Sequence, residues 1–240
     1  MKYVISVLLL LSFLSCSKQQ KQEQKEEYDP RIGESGLDRT KETMEYKMDT
    51  LSEEEYKLAA TKYSNPLQPY PKEEKKQDYY AYDFADGSIL KFKNYQSEDE
   101  EVSKEFERKG YILRKLDYIE EVNCRDFNCS ARGLLVYLKT GDIDTIYAYP
   151  YFSPDQNYLI SIDYDYAKPN RDEMGPSAVV LYKKERDRYK QYKFWAFNDY
   201  IVEEVVWLDN KTIAFKNYTT SSQHEPDLFD YHYFKMQLKQ

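Results

Sequence analysis

From Tyr79 to the end of the chain, Tyr, Val, Ile, Leu and Phe return at every second position with polar residues between them. Successive side chains of a strand point to opposite faces, so a period of two demands strands with an apolar side and a polar side. The turn residues that punctuate these runs are short, which favours antiparallel hairpins over long crossovers. The expected architecture over residues 77–240 is therefore mainly β and antiparallel, with one or two short helices attached.

Particular hairpins can be placed. Tyr111 to Cys124 and Cys129 to Lys139 read as partner strands around the loop Arg125-Asp126-Phe127-Asn128. A four-residue loop sets Cys124 opposite Cys129, where the Cα separation suits a disulfide. A two-Cys metal site would need further ligands, and the histidines, His224 and His232, lie far along the chain. Thr140-Gly141-Asp142 forms the next turn and Ile143 to Phe152 the next strand. Lys183-Lys184-Glu185-Arg186-Asp187-Arg188 is a solvated hairpin tip of mixed charge.

Two helices are signalled by their caps. Ser52-Glu53-Glu54-Glu55 is a capping box, with Leu51 placed to staple onto Tyr56. Tyr56, Ala59, Ala60 and Tyr63 share one helical face, and Asn65-Pro66 ends the run. Ser97-Glu98-Asp99-Glu100 is a second box, with Val102 and Phe106 on one stripe and Gly110 as the stop.

A weak repeat emerges when the turns are aligned. Phe84-Ala-Asp-Gly-Ser-Ile-Leu-Lys-Phe-Lys-Asn-Tyr95 matches Trp207-Leu-Asp-Asn-Lys-Thr-Ile-Ala-Phe-Lys-Asn-Tyr218 at Asp86/Asp209, Phe92/Phe215, Lys93/Lys216, Asn94/Asn217 and Tyr95/Tyr218. Phe152-Ser-Pro-Asp-Gln-Asn-Tyr-Leu-Ile-Ser-Ile162 is a looser third copy. Phe152-Ser153-Pro154-Asp155 with Tyr158-Leu159 resembles the strand-turn-strand signature of bacterial WD40-like propeller blades. That resemblance implies blade-like antiparallel sheet and no particular chemistry. The copies are spaced more widely than the 40–45 residues or so of a true blade, so the units read as hairpins in blade-like or sandwiched sheets.

The N-terminus carries a different kind of signal. Lys2 supplies a positive charge, and the twelve residues Tyr3 to Leu14 are almost wholly apolar, well short of the roughly 20 that span a bilayer. The stretch reads as an export signal over residues 1–15. Phe13-Leu14-Ser15-Cys16 resembles the end of a bacterial lipoprotein signal, where a small residue precedes the Cys that receives lipid. The resemblance implies acyl chains on Cys16 and residence in the bacterial cell envelope. Ser17, in place of an Asp, is what it links to the outer membrane. With Cys16 assigned, Cys124 and Cys129 remain as an even pair, which an oxidising envelope would join. Residues 16–36 are rich in Gln, Lys and Glu and have almost nothing to bury. They read as a tether with an r.m.s. span of roughly 25 Å. Residues 37–76 form an extended and helical lead-in.

Formal charge is −8, or −9 once Lys2 leaves with the signal. A phosphate backbone needs a concentrated positive face, so no nucleic-acid partner is expected. For the same reason attachment to anionic lipid should rest on acyl chains.

The sequence holds no catalytic signature: no phosphate-cradling glycine loop and no nucleophile elbow. His224-Glu225-Pro226-Asp227 offers too few donors for a metal, and His232, between Tyr231 and Tyr233, reads as a strand residue. Asp163, Asp165, Asn170, Asp172 and Glu173 crowd one loop without the spacing of a calcium hand, so it reads as a solvated acidic turn. No cofactor is expected. The 26 tyrosines stand out. Tyr147, Tyr149 and Tyr151 alternate along one expected strand, and exposed they would make a face for a protein or a sugar ring. Tyr is equally at home paired across strands in a half-solvated sheet. The expected function is an envelope protein with a β-rich binding or scaffolding domain. A glycan-binding surface protein is the alternative, and a hydrolase built from distant carboxylates a third.

Overall fold

The computed structural model describes residues 48–75, 77–96, 102–113, 115–125, 128–164, 177–197, 199–219 and 230–238. The signal, Cys16, the tether, the loop carrying Asp165 to Glu173 and His224 lie outside these residues. The described chain is mainly β, with several antiparallel sheets and two short helices.

The largest sheet is built from β6 (Val102–Ile112), β7 (Leu116–Arg125), β8 (Asn128–Tyr137) and β9 (Ile143–Ile146). Two short strands, β2 (Gln68–Pro69) and β5 (Tyr95–Gln96), pair along β6. A second sheet runs β10 (Tyr151–Phe152), β11 (Tyr158–Asp163), β12 (Ala178–Glu185) and β13 (Arg188–Ala196). A third joins β14 (Tyr200–Trp207), β15 (Thr212–Thr219) and β16 (Tyr231–Gln237) to the first described strand, β1 (Met48–Thr50). β3 (Tyr79–Asp83) and β4 (Ile89–Lys93) form a separate hairpin.

These pieces stack in chain order. The β3–β4 hairpin lays Tyr80, Leu90 and Phe92 on Ile119, Leu134 and Val136 of the first sheet. The opposite face of that sheet, with Tyr118, Leu135 and Ile146, meets Leu159, Val180 and Phe194 of the second. The far side of the second, with Ile160, Val179 and Trp195, meets Val205, Ile213 and Phe215 of the third. Val206 and Ala214 on the last face are covered by Tyr56 of helix α1 (Glu53–Lys62). Interior strands thus bury both faces, which is why Ala178-Val179-Val180-Leu181-Tyr182 is a continuous apolar run. Within the first sheet Tyr118 and Ile146 close over Gly133, where a Cβ would stand 2.6 Å from Ile146 Cγ1 and 2.7 Å from Tyr118 Cε2.

Helix α1 forms where the first capping box lies. Ser52 Oγ accepts from Glu55 N at 3.2 Å, and Glu55 Oε2 accepts from Ser52 N at 2.9 Å. Leu51 and Tyr56 meet in one cluster as a staple. A second, single-turn helix, α2, spans Lys72–Lys75.

The expected helix after Ser97 is overturned. Its box lies outside the described residues, and Val102–Ile112 is the long strand β6, laddered onto β7 from Val102↔Arg125 to Ile112↔Leu116. Val102 and Phe106 are four residues apart, a spacing that keeps one face in a strand as in a helix, while Gly110 lies beyond a bulge and pairs with Tyr118 of the opposite face. The paired ladder then decides. The strand expected from Tyr111 is also corrected: Tyr111 and Ile112 end β6, Leu113 and Lys115 are turn residues, and β7 starts at Leu116. The loop between the cysteines is tighter than four residues, because Arg125↔Asn128 is still a paired position. Cys124 and Cys129 face each other as expected, bonded at an S–S distance of 2.00 Å with Cα atoms 4.0 Å apart.

The strand expected over Ile143–Phe152 is two strands in different sheets. Residues 147–150 bend between β9 and β10, and Pro150 has no N–H to give a ladder. The bend is pinned by Ser161, whose Oγ accepts from Ala148 N at 2.7 Å and donates to Ala148 O at 3.2 Å.

The three aligned segments are all hairpins. In β3–β4, Asp86 Oδ1 accepts from Ser88 N at 2.9 Å. In β10–β11, Asp155 Oδ1 accepts from Asn157 N at 3.0 Å. In β14–β15, Asp209 Oδ1 accepts from Lys211 N at 2.7 Å and Thr212 N at 2.8 Å. An Asp side chain closing its own turn is a local device available wherever Asp precedes two free N–H groups. The mixed-charge tip expected at Lys183–Arg188 lies at the β12–β13 turn.

Candidate functional site

Two of the hairpin tips and helix α1 enclose a groove of about 590 Å³. One wall is the outer stripe of α1, with Glu55, Leu58 and Lys62 at helical spacing; the other is made by Pro154 of the β10–β11 tip and Leu208 of the β14–β15 tip. Trp207 and Tyr63 form the apolar floor, and Lys235 of β16 closes one side. Leu58 is 57% exposed and Leu208 37% exposed. The two leucines put an exposed apolar side chain on each wall of the concavity.

The groove is held rigidly. Trp207 Nε1 donates to Tyr151 O at 3.0 Å, and the Tyr63 hydroxyl donates to Phe152 O at 3.0 Å. Asn210 Oδ1 accepts from Asp155 N at 3.1 Å, tying the two tips together. Trp207 stacks on Tyr158 with ring centroids 6.4 Å apart. Burial pushes the Tyr63 hydroxyl far above its ordinary value, so it stays a neutral donor.

The tyrosines of the expected ligand face do not share one strand. Tyr147 packs against the cluster between the first two sheets, and Tyr151 against the cluster between the second and third. Tyr149, in the bend, is 38% exposed and meets Tyr118 and Tyr151 edge-on at 5.7 and 5.4 Å. Burial raises the Tyr151 hydroxyl to about 12. A single strand carrying all three in a row is therefore not formed, because the chain changes sheets between them.

The buried carboxylates serve the fold. Asp117, 1% exposed, accepts from the Tyr82 hydroxyl and faces Arg108 Nε at 3.5 Å. The Arg108 guanidinium in turn lies 5.3, 5.0 and 4.9 Å from the ring centroids of Tyr70, Tyr80 and Tyr82. Burial raises the Asp117 carboxyl above its ordinary value, opposed by Tyr82, Tyr70 and Arg108. Glu121 accepts from Arg132 Nε at 2.7 Å and lies 3.5 Å from Lys104 Nζ. Burial works against the Glu121 charge, yet Arg132 and its neighbours outweigh it and lower that carboxyl. Asp117 and Glu121 are four residues apart on β7, roughly 13 Å at the usual strand rise. Acid and base carboxylates of a glycosidase sit within about 5–9.5 Å, so these two do not make such a pair.

Other residues singled out in the sequence find structural places. His232 is 3.4 Å from Asp230 and packs between Tyr200 and Phe234 in β16. Among the described residues no group of His, Cys, Asp and Glu is arranged to hold a metal, and no helix is long and apolar enough to cross a membrane. The groove was not visible in the sequence. Pro154 and Trp207 mark aligned turns there, but nothing local says that α1 lies across both. Comparison with family models, curated proteins and solved structures finds no match to this chain.

Proposed function

We propose that this chain is a lipid-anchored protein of the bacterial cell envelope, outer membrane rather than inner. Its β domain works by binding, without catalysis. The groove beside α1 is where an extended polypeptide segment of another envelope component docks. The observation that carries this reading is the pair Leu58 and Leu208, solvated on facing walls above Trp207. Aromatic floors with apolar rims are where docking energy concentrates. The lipoprotein-like end of the signal at Ser15-Cys16 supports the anchoring part, and the acyl chains place the domain within a tether's reach of the membrane.

A photoreactive amino acid placed at Leu58 or Leu208 in the full chain should capture one recurrent envelope protein in cells. The same group at Tyr192, exposed on β13, should not. In a Cys16→Ala background the chain should leave the membrane fraction and the capture should fall. Membrane retention of Cys16→Ala would remove the anchoring claim, and identical capture from Tyr192 would remove the groove. A second reading, glycan binding, rests on the exposed ring of Tyr149 beside Tyr151.

A further inference from the structure

Taking the groove as a docking site, the charges around it point to the chemistry of its occupant. The chain as a whole is strongly acidic, at −8, yet two of the three charged residues lining the groove are lysines, Lys62 and Lys235. They lie on different elements, Lys62 in the last turn of α1 and Lys235 in β16. Neither is in an ion pair with a carboxylate among the described residues. The third charged residue, Glu55, is already used: its Oε2 accepts from the Ser52 backbone N–H in the capping box. That hydrogen bond lowers its carboxyl, and Lys235 adds a smaller push from a distance. The Glu55 carboxylate caps the helix and keeps its charge, so the groove lining carries two ammonium groups against one carboxylate.

We infer that the groove takes a peptide segment presenting an apolar side chain beside a carboxylate. The apolar side chain would lie on Trp207 between Leu58 and Leu208, and the carboxylate would sit between Lys62 and Lys235. A cationic segment would meet two ammonium groups against the single carboxylate of Glu55 and be disfavoured, so the same pair provides attraction and discrimination. The acidic remainder of the surface repels anions elsewhere, which concentrates an anionic segment at this place.

The test uses the full chain carrying Cys16→Ala, labelled with ¹⁵N, and two blocked tetrapeptides. One is acetyl-Asp-Leu-Phe-Leu-amide, the other acetyl-Lys-Leu-Phe-Leu-amide. The two tryptophans give two indole N–H resonances: Trp207 reports on the groove, and Trp195, buried between sheets, serves as the control. The acidic peptide should move the Trp207 resonance and leave Trp195 unchanged. At low salt it should bind about 10-fold more tightly than the basic peptide, the order expected for two exposed charge pairs. Salt should narrow that gap. Lys62→Glu with Lys235→Glu should reverse the preference, while Lys62→Arg with Lys235→Arg should keep it. Equal affinity for both peptides, or no movement of Trp207 with either, overturns the acidic chemistry. Groove-specific capture at Leu58 alongside either result would leave docking itself standing, whereas loss of both would remove docking as well.

Discussion

Phe92 and Phe215 hold matching positions in two aligned segments and are both buried, at 1% and 0% exposed. Their surroundings differ in a way that predicts different costs. Phe215 sits in β15, an interior strand of the third sheet, inside a cluster that includes Val205, Trp195 and Phe197. Phe92 sits in the two-stranded β3–β4 hairpin, against Tyr82 at 6.1 Å and Phe106 at 5.1 Å. Truncation to Ala removes a transfer contribution of about 2 kcal/mol. An unrelaxed cavity of roughly 100 Å³ adds about 2.4 kcal/mol at 24 cal/mol per Å³. A hairpin can settle into such a gap more readily than a strand fixed on both edges. Phe215→Ala should therefore cost about 4–5 kcal/mol and Phe92→Ala about 3 kcal/mol. The following residues supply the contrast. Lys93 is exposed, so its Ala variant should stay within about 0.5 kcal/mol of the parent. Lys216 bridges Glu203 at 3.1 Å and lies 4.0 Å from the ring centroid of Tyr231, so its loss should cost about 1 kcal/mol. Urea unfolding of the four variants measures all of this. With a slope of about 2 kcal/mol/M, Phe215→Ala moves the midpoint down by about 2 M. A phenylalanine variant no less stable than its lysine neighbour would refute the claim that these rings anchor their layers.

The disulfide should be a local staple: denatured protein from the envelope should show no free thiol at Cys124 or Cys129. Replacing both by Ser should cost about 2 kcal/mol, because the closed loop is short; a loss of native circular dichroism would refute this. Asp117 sets a pH dependence of known sign. Its carboxyl is raised in the folded protein. The stability it contributes is therefore fully present below the ordinary carboxylate value, about 4, and is lost as pH rises through the folded value. Asp117→Asn should accordingly gain stability relative to the parent between pH 4 and pH 7 in urea titrations. A variant that fares relatively worse at pH 7 would show that the charged form is the favoured one.

What the sequence by itself determined lies within a few residues along the chain. The capping box at Ser52 closes through two bonds across three residues, so α1 forms where the box stands. Cys124 and Cys129 meet because the strands flanking a tight turn can pair in few ways. The Asp-anchored turns at Asp86, Asp155 and Asp209 also close on their own neighbours. The period of two identified β structure for the same reason, since alternation is a property of one strand.

Only the tertiary structure decided the rest. Val102 and Phe106 fit a helix or a strand equally, and pairing of β6 with β7 chose between them. Tyr147 and Tyr151 lie on either side of a bend between two sheets, so their shared alternation never becomes a shared face. The apolar run at Ala178–Tyr182 is explained by burial on both faces of a middle layer, which single-strand patterning cannot foresee. The groove joins residues from Leu51 to Lys235, drawn from a helix, two hairpin tips and a strand far apart along the chain. Its existence depends on where a helix comes to rest on stacked sheets, a balance of long-range packing terms that no short window of sequence contains.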